Sequence, residues 1–284
     1  MKTAVLSDIH GNYHAFKSCI DYALEADCDS FFLLGDYLGE FAYPERTMEL
    51  LYNLRGKYPC RFIRGNKENY WLDYKAGDKN NWKDYNSTTG SLAYTYSHIT
   101  DDDLKFFESL SMCDDIEFDG FMPMTLCHAS PVNISRKLLP DDEESRTAME
   151  QNSTDIIFCG HSHLQKKITY GRVTAYDAGA VGVPVGSNGK AQFLIIESDG
   201  KNLDIVPVSI DYDRKKTLEE LSEEHLDEHA PYWTKITRQL IMHGQVMHST
   251  VVSRAMEICR IENGKCIWPE IPEVCWKKAY EEFF

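Results

Sequence analysis

The stretch AVLSDIHGNYHAF, residues 4–16, sets three apolar residues directly before Asp8, His10 and Asn12. A short apolar run halted by polar residues reads as a buried strand, here over residues 2–7. Beyond it, Phe16, Cys19, Ile20, Ala23 and Leu24 recur at helical spacing and predict a helix from Tyr13 to Ala26. Residues two apart in an extended chain point to the same side, so Asp8 and His10 converge where the first strand ends. The design repeats in FFLLGD (31–36) and CRFIRGN (60–66), with a helical pattern at 44–55 between them. Strand, helix, strand, helix, strand is the pattern of a largely parallel sheet with crossover helices.

Further along, DIEFDGFMPMTLCHAS (115–130) reads as a hairpin turning at Asp119-Gly120, and DIIFCGHSH (155–163) as a strand running into a polar loop. Residues 166–182 and 191–210 read as two more hairpins, the second turning at Asp199-Gly200. A helix is expected from Thr100, whose hydroxyl and the run Asp101–Asp103 suit an amino-terminal turn.

Composition narrows the function classes. Among 284 residues, 43% are hydrophobic, enough for a sizeable core. No apolar run approaches the roughly 20 residues of a membrane helix, and the start lacks the apolar segment of a signal peptide. The net charge of −15 opposes the backbone of a nucleic-acid polymer. It leaves room for a small phosphorylated substrate, because bound cations can dominate the field inside a pocket. Nine scattered cysteines without a C-x-x-C pair fit free thiols in a reducing cytosol, hence a cytoplasmic protein.

Two segments depart from the strand–helix rhythm. Residues about 69–100 interleave Tyr70, Trp71, Tyr74, Trp82, Tyr85, Tyr94 and Tyr96 with polar residues and read as a cap insert. Most of these rings are expected to form the cap's own small core. One or two, joined by Tyr37, Phe41 or Tyr43, are candidates to stack a nucleobase. Residues 212–284 are charged and helical in pattern, so the chain divides into a domain over 1–211 and an appended helical region over 212–284. That region is a candidate for homo-oligomer contacts. Its apolar positions Trp233, Ile236, Leu240, Val252, Met256 and Cys259 serve equally well to dock on the core. HLDEH (225–229) matches an inverted zinc-protease pattern, but no third ligand accompanies it and a solvated helix face explains it better.

The polar loops make sense together. Asp36 ends the second strand and Asn66 the third, His128 follows a fourth, and His161 and His163 follow a fifth. Carboxyl ends of strands form the ligand crevice of open α/β sheets, and nitrogen and oxygen donors gathered there suit transition metals. The ordered set SDIHGN, LLGDYLGE, FIRGNKEN, TLCHASP and FCGHSH resembles the calcineurin-like metallophosphoesterases, and YDAGAVGVP resembles bacterial members of the diadenosine tetraphosphatase-like branch. The resemblance spans about residues 3–210. It implies a four-layer αββα sandwich, here with the cap insert and the carboxyl-terminal extension.

The resemblance also implies two divalent transition-metal ions, manganese, iron, zinc or nickel. Asp8, His10 and His163 would hold one, and Asn66, His128 and His161 the other, with Asp36 bridging; Asn12 would cap the following helix. Four positive charges against two carboxylates and a bridging hydroxide leave the site positive by one, suited to a phosphoester or phosphoanhydride. The implied substrate is a small, nucleotide-type phosphate compound. The alternatives are a phosphoprotein, or no catalysis at all, as in a retromer subunit of this fold that has lost metal ligands. His128, Lys67 and Arg64 are the candidates for direct catalytic roles. Most family members carry histidine where this chain has Lys67. A lysine beside two metals is expected to have a lowered pKa and to protonate the leaving group, unless it faces solvent. Arg64 is a candidate contact to phosphate.

Overall fold

The computed structural model describes residues 2–78, 81–117, 122–198 and 202–284. Strands β1 (Lys2–Leu6), β2 (Ser30–Leu33) and β3 (Cys60–Phe62) run parallel, linked by helices α1 (Tyr13–Glu25) and α2 (Pro44–Lys57). After them come α3 (Asn66–Ala76), α4 (Gly90–Ser97) and α5 (Asp101–Ser109), then β4 (Cys113–Ile116) and β5 (Met124–Cys127). Helix α6 (Glu143–Glu150) precedes β6 (Ile156–Cys159), β7 (Gln165–Tyr170) and β8 (Val173–Ala178). The hairpin of β9 (Ala191–Ser198) and β10 (Leu203–Ile210) pairs in register from Leu203 with Ser198 to Ile210 with Ala191.

Two five-stranded mixed sheets result, in the orders β10-β9-β1-β2-β3 and β4-β5-β6-β8-β7. Period-two alternation builds the layers. Ala4, Leu6, Phe31 and Leu33 pack on α1 and α2 through Phe16, Ile20 and Leu51. Their neighbours Val5 and Phe32 face the other way, against Met124, Leu126 and Phe158 of the second sheet. That sheet's outer face, Cys127, Ile157 and Cys159, meets Met149 of α6. Burying a Leu, Ile or Phe side chain contributes about 1.5–3 kcal/mol, so these three seams hold the strand ends in fixed register.

The expected turns at Asp119-Gly120 and Asp199-Gly200 lie outside the described residues, while the strands flanking each pair antiparallel as expected. Thr100 caps α5 in a box with Asp103. All nine cysteines are free.

The tail forms α7 (Arg214–Glu223), the single turn α8 (Leu226–His229), α9 (Pro231–His243), α10 (His248–Asn263) and α11 (Glu273–Phe283). It is not a free appendage. Leu221, Ile236, Leu240 and Trp276 share one core with Phe41, Ala42, Tyr94 and Val183, so the helices close over the loop after β2 and over the cap. Glu220 fastens the seam, 3.0 Å from His14 and 2.9 Å from Arg46. Ile236, Leu240 and Cys259 are buried within the chain itself.

Candidate metal centre

Five loops at the carboxyl edge of the strands deliver donors. Asp8 and His10 follow β1, Asp36 follows β2, Asn66 opens α3, His128 follows β5, and His161 and His163 follow β6. Asn12, just beyond His10, accepts from the Ala15 amide at 3.2 Å and caps α1 as expected. Five donors sit in the left-handed region: Asp8 (φ 55°), His10 (55°), Asp36 (54°), His161 (63°) and His163 (58°). Each such residue stores on the order of 1–3 kcal/mol of strain, which persists only where the surroundings impose it. Here the surroundings are backbone bonds between loops: Asp8 amide to Gly35 carbonyl at 3.1 Å, His10 to Asp36 at 2.9 Å, and Gly160 to His128 at 2.7 Å. Two glycines permit the approach. A Cβ on Gly65 would fall on the Asp36 amide, and one on Gly160 on the Ser7 hydroxyl.

The donors form two groups, Asp8 with His10 and His163, and Asp36 with His128 and His161, each with ligand atoms within 4.8 Å of one another. Asp36 stands between them: one carboxylate oxygen lies 3.6 Å from His10 Nε2 and the other 3.5 Å from His128 Nε2. Asn66 Oδ1 is 3.0 Å from His128 Nε2. The structure thus brings all seven residues of the expected ligand set to one edge, with Asp36 facing both groups.

Three histidines are oriented from behind. His128 Nδ1 donates to the Leu34 carbonyl at 2.8 Å, His161 Nε2 to the Ser135 carbonyl at 3.0 Å, and His10 Nδ1 to the Glu40 carboxylate. A ring nitrogen that donates outward leaves the other bare toward the centre, the arrangement a metal ligand needs. Bare nitrogens and oxygens then face one another, with His161 Nδ1 3.2 Å from His128 Nε2. Buried Asp8 Oδ1 and His10 Nε2 make no hydrogen bond with any described group. Converging unsatisfied donors of this chemistry fit cations.

Electrostatics agree. Burial works to lower the pKa of His10, but Glu40 and Asp8 overcome it and push it up to about 10. Burial also opposes the charged form of His128, yet Asp36 and Asp8 hold its pKa above the ordinary value. Against its own burial, Asp8 is held well below the carboxylate range by His163 and His10. His161 goes the other way, lowered to about 4 by burial and by His128.

Lys67 does not face solvent. Its ammonium is buried, 2.8 Å from Glu40 and 5.5 Å from the centre of the Trp233 ring. Among the protein's own groups, burial works to lower its pKa, but Glu40 and Asp36 outweigh it and raise it. Arg64 is not among the residues that line the cavity above the donors, and its buried Nε makes no hydrogen bond with any described group. Glu40 belongs to the quoted stretch LLGDYLGE, but nothing there announces that it joins His10 to Lys67. Glu68 was equally silent; its carboxylate accepts from the amides of Gly65, Asp36 and Tyr37 at 2.7–2.9 Å and fixes the two loops together.

A half-enclosed cavity of about 380 Å³ rises from His10, Asp36, Asn66, Lys67, His161 and His163. Of the cap aromatics, Tyr70 lines it, while Trp71, Tyr74, Trp82 and Tyr96 pack on one another as the cap's own core. Tyr37 is fully buried, its hydroxyl donating to the Ile63 carbonyl at 2.6 Å, and takes no part. The HLDEH histidines hold no cluster among the described residues. His225 is exposed, whereas His229 is no solvated face: it sits 2.6 Å from Asp84 and stacks on Tyr85.

A model of the calcineurin-like phosphoesterase family matches residues 1–165. The chain belongs to this family. Over 244 residues it is 30% identical to the uncharacterised protein MJ0912 of Methanocaldococcus jannaschii, covering 79% of this chain and 93% of that one. Its fold is similar to that of hypothetical protein PH1004 from Pyrococcus horikoshii OT3, with TM-score 0.71, 20% identity, and coverage of 87% of this chain and 99% of that one. A metallophosphoesterase from Sphaerobacter thermophilus gives TM-score 0.69 and 19% identity, covering 85% and 98%. Both structural matches extend past β10 into the helical tail, so two mixed sheets plus carboxyl-terminal helices is an architecture they share. No helix among the described residues is long and apolar enough to cross a membrane.

Proposed function

We propose that this calcineurin-like phosphoesterase hydrolyses the phosphoester or phosphoanhydride of a small, nucleotide-type molecule. The observation that carries the reading is the pair of donor groups sharing Asp36 on the floor of a cavity of about 380 Å³. When bound there, two divalent cations supply Lewis acidity toward phosphoryl oxygens and water acidic enough to ionise near neutral pH. The first group would be Asp8, His10 and His163, and the second Asn66, His128 and His161.

The chain's own groups do the rest. Glu40 fixes the His10 ring and holds the Lys67 ammonium at the cavity wall. The ion pair with Glu40 at 2.8 Å favours the charged ammonium, so Lys67 serves better as a fixed positive charge for a phosphoryl or leaving oxygen. The cavity lies at the low end of the range for small-molecule sites, which favours one organic group of mononucleotide size over a folded phosphoprotein. A panel of phosphomonoesters, diesters and anhydrides assayed with added manganese tests the reading. Manganese-dependent turnover abolished in Asp36→Asn supports it, and turnover indifferent to metal and to Asp36 overturns it.

A further inference from the structure

One part of the cavity wall is built outside the stretch that the family model matches. Trp233 of α9, His248 and Val252 of α10, and Trp268 form it. His248 is buried, its ring stacked on Trp233 at 4.4 Å. Its Nε2 lies 2.9 Å from Thr237 Oγ1, which donates its own hydrogen to the Trp233 carbonyl at 3.1 Å. A hydroxyl has one hydrogen. Assigning that hydrogen to the carbonyl makes both contacts hydrogen bonds, with Oγ1 accepting from His248 and the imidazole proton on Nε2. Burial lowers the imidazole pKa to about 3 despite the pull of Glu40, so the ring is neutral and Nδ1 is a bare acceptor. Among the described residues nothing donates to Nδ1. An acceptor on a residue of the cavity wall, without a donor from the protein, is open to one from a ligand or water.

Charge is scarce on this side. Lys67 is neutralised by Glu40, the other ionisable lining groups belong to the donor floor, and Lys137 alone remains. Tyr70 and Leu92 face the space from the cap and suit the flat side of a ring.

We propose that this wall is the subsite for the organic group of the substrate, and that it takes an uncharged ring compound bearing a hydroxyl or amino donor, a sugar or nucleoside, whose donor bonds to His248 Nδ1. The assignment rests on the phosphoesterase reading of the donor floor, and the test separates the two. His248→Gln places an amide toward Thr237 and removes the Nδ1 acceptor; His248→Phe keeps a ring on Trp233 and removes it too. With manganese present, kcat/KM is measured on adenosine monophosphate, ribose phosphate and phenyl phosphate, the last having no donor on its ring. Losing one neutral hydrogen bond corresponds to roughly tenfold. Both variants are expected to lose about tenfold on the donor-bearing esters and less than twofold on phenyl phosphate. Loss on both donor-bearing esters assigns the bond to a sugar hydroxyl, and loss on the adenosine ester alone to the base amine. Equal loss on all three esters, or no loss on any, overturns the subsite. Calorimetric binding of the methylene phosphonate isostere of adenosine monophosphate, against benzylphosphonate, reads the same discrimination without turnover. If wild type hydrolyses none of the esters, the phosphoesterase reading fails and this binding comparison still decides the subsite: a selective tenfold weakening in His248→Gln upholds it, and unchanged or uniformly weakened binding overturns it.

Discussion

Replacing Glu40 by glutamine changes one atom of a buried group that serves two partners. The carboxylate accepts from His10 Nδ1 on one side and from the Lys67 ammonium at 2.8 Å on the other, and all three side chains are buried. A glutamine offers one acceptor oxygen and an NH2 that cannot accept, so one partner keeps a bond and the other is left facing a donor. Breaking a buried charge pair by removing one member costs roughly 3–5 kcal/mol, on the order of a 10 °C fall in Tm for a chain of this size. Loosening the group behind a ligating histidine lowers metal affinity by about 10–100-fold. Glu40→Gln is therefore expected to melt well below wild type and to bind manganese one to two orders of magnitude more weakly, by calorimetric titration of chelator-treated protein. Lys67→Met alone strands Glu40 less, because His10 still donates to it. The double variant should accordingly be less destabilised than the sum of the singles, the coupling that a shared partner produces. Wild-type Tm and affinity in Glu40→Gln, or strict additivity in the cycle, would refute this reasoning.

Lys67→Ala should slow p-nitrophenyl and alkyl phosphoesters by similar factors, since a fixed charge acts on both; a loss confined to the alkyl ester would instead make Lys67 the proton donor. Asp177 is buried and accepts from the Ser162 hydroxyl between two ligand histidines, and burial pushes its pKa from 3.8 up to about 8. Between those values the folded protein retains a proton that the unfolded chain has released, so this group makes stability fall as pH rises from about 4 to about 8. Asp177→Asn should flatten the Tm profile over that window, and superimposable profiles would contradict the assignment. The double change His225→Ala, His229→Ala should leave metal content and hydrolysis near wild type while loosening the contact with Asp84; loss of a bound ion would revive the protease-like pattern.

The sandwich was legible because alternation and short apolar runs state directly which strands are buried, and each of those strands ends in a donor. Residues 2–7 and 31–36 needed no tertiary information. The grouping of the donors followed from family resemblance and then from geometry, as no spacing along the chain says that Asp36 lies between His10 and His128. Glu40, Glu68 and His248 were not legible, because a buried carboxylate or imidazole is identified by its partners, here 27 residues away for Lys67 and Glu40. The tail left two readings open for a related reason. Its charged helices read as an appendage, while the apolar faces of α9 and α10 close the cavity from a distance in sequence that periodicity cannot span. The aromatic cap read correctly as mostly self-packing. Another ring that lines the cavity, Trp233, is a tail residue.

Metal stoichiometry tests the central claim most directly. Protein purified without chelator, or reloaded with manganese and desalted, should carry close to two transition-metal ions per chain by elemental analysis. Asp36→Asn, which removes the one carboxylate reaching both donor groups, should lower occupancy at both positions while leaving the fold intact by circular dichroism. A folded Asp36→Asn protein that still holds the full complement of metal and hydrolyses phosphoesters at the wild-type rate would contradict the dinuclear assignment.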